Sequence, residues 1–417
     1  MKMSKDVYNV IDESADNNFI PYFSDKEMAQ RHKNVRKEMK ERGIDVLLVY
    51  GHVGIGSSPG QIHLQYLTRF ANVFETFLTV PVEGEPTMFI NLDYHCVNAR
   101  TISYIKDIQD GDAFPNAIQK IKDLGYERGT IGLVGPGGAQ FGDITLFTEQ
   151  RQILDKAFPD AKIVSANQWL QALQLIKSEE EIALLRRAGA LTDLAQEEVF
   201  QLTRPGVKHK DLQRAMNLTA VRHYGTFPFG HVSSFSMEDP EYYYPTPYST
   251  GKRVRVGDML MSEFCLGYGN YWGKLWGTWF VGNPTPEYEK MFNVAATVHD
   301  NMVSELKPGM KGKDIDNFLK PIYDAGLEQV PSLLIAGWCF MMQPPLAGCA
   351  PGNQSTAYAQ MYKDFEFKPG HTVTLHIWVR IPNTKKGLWV GSSGVFTQNG
   401  YENFNKYPVN EIRVVPI

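Results

Sequence analysis

The stretch GDMLMSEFCLGYGNYWGKLWGTWFVG, from Gly257 to Gly282, sets one carboxylate and one ammonium among many aromatic residues. It reads as two adjacent β-strands joined by a Gly-rich turn. With two-residue alternation, Met259, Met261 and Glu263 share a face of the first strand, and Trp272, Lys274 and Trp276 share a face of the second. A charge on such an apolar face is costly unless it is paired or used. The pattern allows two readings: a Glu263–Lys274 salt bridge inside a hairpin, or a pair of groups that work on a substrate.

An internal repeat bears on the choice. RPGVKHKDLQ at Arg204 recurs as KPGMKGKDID at Lys307, each a Pro-Gly punctuation, a basic loop and an Asp near a helix start. VGDMLMSE, ending at Glu263, has a counterpart in PGHTVTLH, ending at His376. Two similar halves imply a pseudo-twofold α+β domain whose central strands face a shared cleft. Glu263 and His376 occupy equivalent places in the halves, and Trp378 and Arg380 alternate onto the face of His376.

The chemistry available is acid/base. An imidazole near a carboxylate titrates close to neutral pH, so His376 is the candidate general acid/base, with Glu263 orienting it or activating water. Lys274 is suited to a substrate carboxylate or a developing oxyanion. Tyr243, in EYYYP, is either a catalytic hydroxyl or part of an aromatic packing strand. Trp272, Trp276, Trp338 and Trp378 are either core or walls around a cationic or methylated ligand. His231, in FPFGHVSSF, is either structural or part of the cleft.

These groups need a scaffold. The 417 residues allow two domains, read as 1–173 and 174–417. DKEMAQRHKNVRKEMKERG reads as a helix ended by Gly43, and IDVLLVYG, TFLTVPVEG, PTMFINLD and RGTIGLVG as strands of an α/β domain. GHVGIGSSPG lacks the residues of a phosphate loop and reads as a mobile loop. Ser178 and the acidic run after it cap the helix that opens the second domain. The net charge of −4, with no basic cluster, argues against nucleic acid as partner. No apolar run is long enough for a membrane span, and the polar N-terminus is not a signal peptide. Cys96, Cys265, Cys339 and Cys349 lack paired metal spacing and read as buried thiols, consistent with a cytoplasmic protein.

HLQYLTRF (His63 to Phe70), IKSEEEIALLRRAG, the Pro-Gly repeat, GDMLMSEF and KPGHTVTLHIWV, in this order and spacing, resemble the creatinase/prolidase/methionine aminopeptidase superfamily over nearly the whole chain. The resemblance implies a creatinase-type α/β N-terminal domain followed by an α+β pita-bread catalytic domain. Metallopeptidase members bind two metal ions through Asp, Asp, His, Glu and Glu. By position these fall on Glu263, on Lys274, near Trp338, on His376 and near Gly391, so the resemblance implies a member without the metal site, its lysine replacing an ion's charge. The catalytic His of creatinase-type members falls in EDPEYYYPTP, nearest Tyr243, and their two Glu residues on His376 and Trp276. His63 and Arg69 lie in the N-terminal motif that reaches the neighbour's active site in creatinase-like dimers. The resemblance thus implies a homodimer with no cofactor, acting as a metal-independent hydrolase of a C–N bond in a small amide, amidine or cyclic carboxylated substrate. A lyase on the same scaffold and a catalytically inactive binding module are the alternatives.

Overall fold

Ser24 starts the first helix, Asp25–Arg42: its hydroxyl accepts the Glu27 N–H at 3.1 Å. Gly43 ends it in the left-handed region, with φ 63°. The computed structural model describes residues 23–52, 59–136, 143–246, 248–330, 334–339, 342–349 and 356–417. The N-terminal segment and most of GHVGIGSSPG, expected to be a mobile loop, therefore lie outside the described residues. Described residues through Leu175 form one compact unit and Ile176–Ile417 a second.

The first unit holds a six-stranded sheet of β1 (Val46–Gly51), β2 (Thr76–Pro81), β3 (Thr87–Ile90), β4 (Asp107–Asp110), β5 (Thr130–Val134) and β6 (Lys162–Ser165), in the order β4-β3-β2-β1-β5-β6. β1 pairs parallel with β5 but antiparallel with β2, so the sheet is mixed. Every residue of β1 and β2 is buried, as the apolar run of β1 predicts.

The second unit opens with a helix, Glu179–Leu202, closed at its start by a capping box between Ser178 and Glu181. Its sheet contains β7 (Thr226–Ser236), β8 (Asp258–Tyr268), β9 (Tyr271–Val281), β10 (Glu328–Gln329), β11 (Ile335–Trp338), β12 (Met342–Ala347), β13 (Thr372–Arg380), β14 (Gly387–Phe396), β15 (Tyr401–Asn403) and β16 (Val414–Val415). The main path runs β12-β11-β13-β14-β9-β8-β7. β8 and β9 form the expected hairpin, turning at Gly269 (φ 59°) and Asn270 (φ 67°).

The helix Glu179–Leu202 lies on one face of β9, close enough that a Cβ at Gly273 would sit 2.4 Å from the Ala188 carbonyl carbon. Alternation therefore turns Lys274 and Trp276 to the opposite face. The internal repeat is visible in backbone pairing. Lys208 bridges to Arg253, and Lys311, its equivalent, to Glu366. Gly206 and Gly309 share a positive φ (93° and 89°), as do Gly257 and Gly370 (82° and 89°). The core of this unit gathers Met259, Met261, Trp276, Trp378 and Trp389 with the helix Pro286–Glu305. All four cysteines are buried.

Candidate active site

The register of the central strands sets five residues in one row. His231 on β7 is opposite Glu263 on β8, Glu263 opposite Trp276 on β9, Trp276 opposite Gly391 on β14, and Gly391 opposite His376 on β13. Glu263 and His376 stand symmetrically about the β9–β14 contact, the arrangement that the two halves of the repeat predict.

Glu263 is held from both sides. Its Oε1 lies 2.7 Å from Lys274 Nζ and its Oε2 3.1 Å from His231 Nε2. Glu263 and Lys274 are 8% and 6% exposed, so this is a buried pair rather than a solvated bridge. Burial pushes the Glu263 carboxyl up, but the Lys274 ammonium and His231 outweigh it and hold the group well below the usual carboxylate range. An ionised carboxylate only accepts hydrogen bonds, so His231 donates its Nε2–H.

The imidazole next to Glu263 is thus His231, not His376 as the sequence suggested. His376 instead lies flat on Trp276, with 4.3 Å between centroids and 16° between planes, and meets Trp378 and Trp389 at 5.7 Å each. Gly391 makes this possible, since a Cβ there would stand 2.8 Å from Trp276 Cε3. His376 keeps some accessible surface, yet burial lowers its imidazole pKa to about 3. The expectation of a His376 titrating near neutral pH is corrected: its surroundings favour the neutral ring.

The second correction concerns the tyrosine run. Tyr243 stacks on Tyr242 at 4.4 Å and lies under the Arg380 guanidinium at 4.9 Å, 6.3 Å from Trp378. Its neighbour Tyr244 is the one among the site rings, stacked on Trp378 at 4.8 Å, edge-on to Trp389 at 5.4 Å and 6.5 Å from His231. Burial, then the Glu263 charge, push its phenol up to about 12, so Tyr244 keeps its proton at neutral pH. Arg380 lies further along β13 than His376, outside this row, and is paired with Glu328 on β10.

Trp338 donates its indole N–H to the Trp272 carbonyl at 2.8 Å and turns a face to Lys274, whose Nζ is 4.2 Å from its centroid. Phe229, two residues before His231, offers a further face to the same ammonium at 4.8 Å. His63 and Arg69 belong to the first unit. There the His63 Nδ1 meets Gln174 Nε2 at 3.1 Å, and the buried Arg69 bonds Asp25 at 2.5 Å.

Tyr244, Trp389 and Phe229 were missed as site residues, and Gly391 was named only as the place of a lost ligand. Alternation signals Phe229 and Trp389, which share the faces of His231 and Gly391. Nothing in EYYYP separates Tyr244 from Tyr243, because the segment is irregular and has no period.

Residues 183–400 match the model of metallopeptidase family M24, and residues 31–176 that of the creatinase/prolidase N-terminal domain. The chain belongs to family M24. It is 22% identical to creatinase of Bacillus sp. (strain B-0618) over 93% of this chain and 92% of that one. Ectoine hydrolase of Halomonas elongata is 24% identical, over 70% of this chain and 75% of its own. The Xaa-Pro dipeptidase structure from Bacillus anthracis superposes with a TM-score of 0.75 and 18% identity, covering 93% of this chain and all of that one. The M24 member therefore has the creatinase-type N-terminal domain and the pita-bread catalytic domain. Among its described residues, no group of three or more His, Cys, Asp or Glu side chains is placed to hold a metal ion. No helix among them is long and apolar enough to cross a membrane.

Proposed function

We propose that this M24 member hydrolyses a C–N bond in a small amide, amidine or cyclic carboxylated substrate, by acid/base chemistry and without bound metal ions. The observation that carries the reading is the Lys274 ammonium 2.7 Å from Glu263, at the position where the family resemblance expects a second carboxylate ligand. Two divalent ions need several carboxylates to offset their charge, and an ammonium offers no lone pair. The donors of the row, Glu263, His231 and His376, do not fit such a pair, so no step runs through metal.

In this reading His231 is the general base. Its Nδ1 takes a proton from water as the oxygen attacks the acyl or amidine carbon, and Glu263 stabilises the imidazolium formed. The same proton then passes to the leaving nitrogen. The Tyr244 O–H, kept protonated, is a donor available to the oxygen or nitrogen on which charge develops. Lys274 keeps Glu263 ionised and fixed. Support for hydrolysis comes from relatives named creatinase and ectoine hydrolase.

The second reading is a metal-dependent peptidase, favoured by the likeness to Xaa-Pro dipeptidase structures. Elemental analysis decides between them. Substoichiometric transition metal with chelator-resistant release of amine or ammonia is expected; a metal pair per chain with chelator-sensitive turnover overturns the proposal. A cytoplasmic homodimer acting on a small molecule belongs to the same proposal, the dimer resting on the resemblance of YLTRF. Sedimentation showing a fully active monomer contradicts it.

A further inference from the structure

Lys274 does more than neutralise Glu263. Its Nζ stands 4.2 Å from the Trp338 centroid, 4.7 Å from that of Trp276 and 4.8 Å from that of Phe229. Three aromatic faces around one cation, with a carboxylate alongside, is the geometry by which proteins recognise guanidinium and quaternary ammonium ligands. Here the protein's own side chain occupies that seat.

We infer that the aromatic end of this site takes an uncharged, planar, acceptor-bearing group, such as an amide or ureide, and rejects cationic groups. The inference rests on the proposed site and narrows its substrates, removing simple amidines, which are protonated near neutral pH. A second cation beside Lys274 meets like charge in a poorly solvated place, and Glu263 has both oxygens engaged, by Lys274 at 2.7 Å and His231 at 3.1 Å. Arg380 is likewise committed, to Glu328. The Lys274 end of the site thus offers an incoming cation neither the seat between Trp276, Trp338 and Phe229, which Lys274 fills, nor an unengaged carboxylate oxygen on Glu263.

What it does offer is donors and flat surfaces. The indole N–H groups of Trp276, Trp378 and Trp389 are buried and have no hydrogen-bond partner among the described residues. A buried donor left unpaired is unfavourable, and a ligand that parts these rings and supplies acceptor oxygens relieves it. The rings of that cluster lie in flat stacks, His376 on Trp276 (4.3 Å) and Tyr244 on Trp378 (4.8 Å), which suit a planar group. Burial keeps His376 neutral and adds no charge to the lining.

Thermal denaturation of the full chain with three probes tests this: hydantoin as neutral ureide, creatine as guanidino acid and tetramethylammonium as bare cation. Hydantoin is expected to raise the midpoint by several degrees at millimolar concentration, and the two cation-bearing probes, zwitterionic creatine and tetramethylammonium, to leave it unchanged. In Lys274→Ala the seat is vacated, and tetramethylammonium is expected to stabilise that variant but not the parent. Stabilisation of the parent by either cationic probe as strong as that by hydantoin overturns the inference. So does a parent that responds to no probe, or a folded Lys274→Ala as indifferent to tetramethylammonium as the parent. If Lys274→Ala does not fold, the parent's ranking of the three probes decides alone. Turnover separates the two proposals. Hydantoin bound but never hydrolysed sinks the reaction and spares the ligand class, whereas hydrolysis of creatine sinks the selectivity and spares the reaction.

Discussion

Trp276 and His376 stack face to face at 4.3 Å although a whole strand, β14, runs between theirs. The rings meet because the residue between them is Gly391, opposite both in register. Where the resemblance expects a metal-binding Glu near this position, the chain has no side chain at all, and an indole fills the space. His376 thereby lies flat on an indole, where burial favours its neutral ring.

Gly391→Ala tests that relationship. Its Cβ would stand 2.3 Å from the Leu375 carbonyl oxygen and 2.8 Å from Trp276 Cε3, so the sheet or the indole must shift. Overpacking of this kind costs about 1–3 kcal/mol. A lowered urea midpoint with altered near-ultraviolet circular dichroism is expected. Unchanged spectra and stability would show that the stack does not depend on this glycine.

Removing one partner of the buried Glu263–Lys274 pair strands a charge, at a cost of roughly 3–5 kcal/mol. Lys274→Met is expected to lose that much in urea denaturation and to lose turnover. The Glu263→Gln, Lys274→Met double variant is expected to recover much of the stability and none of the activity. Single variants as stable as the parent would mean that the pair contributes nothing.

His231→Gln is expected to fold and to lose about 10²–10⁴ in kcat, the range for a general acid/base. His376→Ala is expected to lose stability through the missing stack, by roughly 2–5 kcal/mol, the range for large-to-small substitutions in a core. A His376 variant that folds like the parent while His231→Gln stays active would reverse the assignment.

Stability is expected to fall as the medium turns acidic. Burial lowers His376 to about 3, and His209 and His371 to about 4, so all three are neutral in the folded chain. The unfolded chain takes up their protons below about 6.5, and stability is lost from there down through the folded values. The depressed Glu263 adds stability that is present above its unfolded pKa, about 4.5, and is lost as pH falls below it. Urea midpoints measured from pH 7 to pH 4, as an illustrative range, are expected to decline steadily, with a shallower slope in a folded His376→Gln variant. A flat profile would contradict the burial of these rings.

The amino-acid order alone determined the α/β and α+β fold classes and the repeat. Apolar runs such as IDVLLVYG, the Ser178 cap and the paired Pro-Gly turns are local signals, and each became the expected element. It also determined the Glu263–Lys274 pair, because hairpin alternation puts both on one face. The assignment of imidazoles was not local. His231 reaches Glu263 through the pairing of β7 with β8, and no pattern inside FPFGHVSSF fixes that register. The choice of Tyr244 over Tyr243 came from rings on β13 and β14 that meet an irregular segment distant in sequence. The neutrality of His376 likewise arose only when Gly391 let Trp276 cover it, since a pKa answers to desolvation by groups that the sheet, not the sequence, brings together.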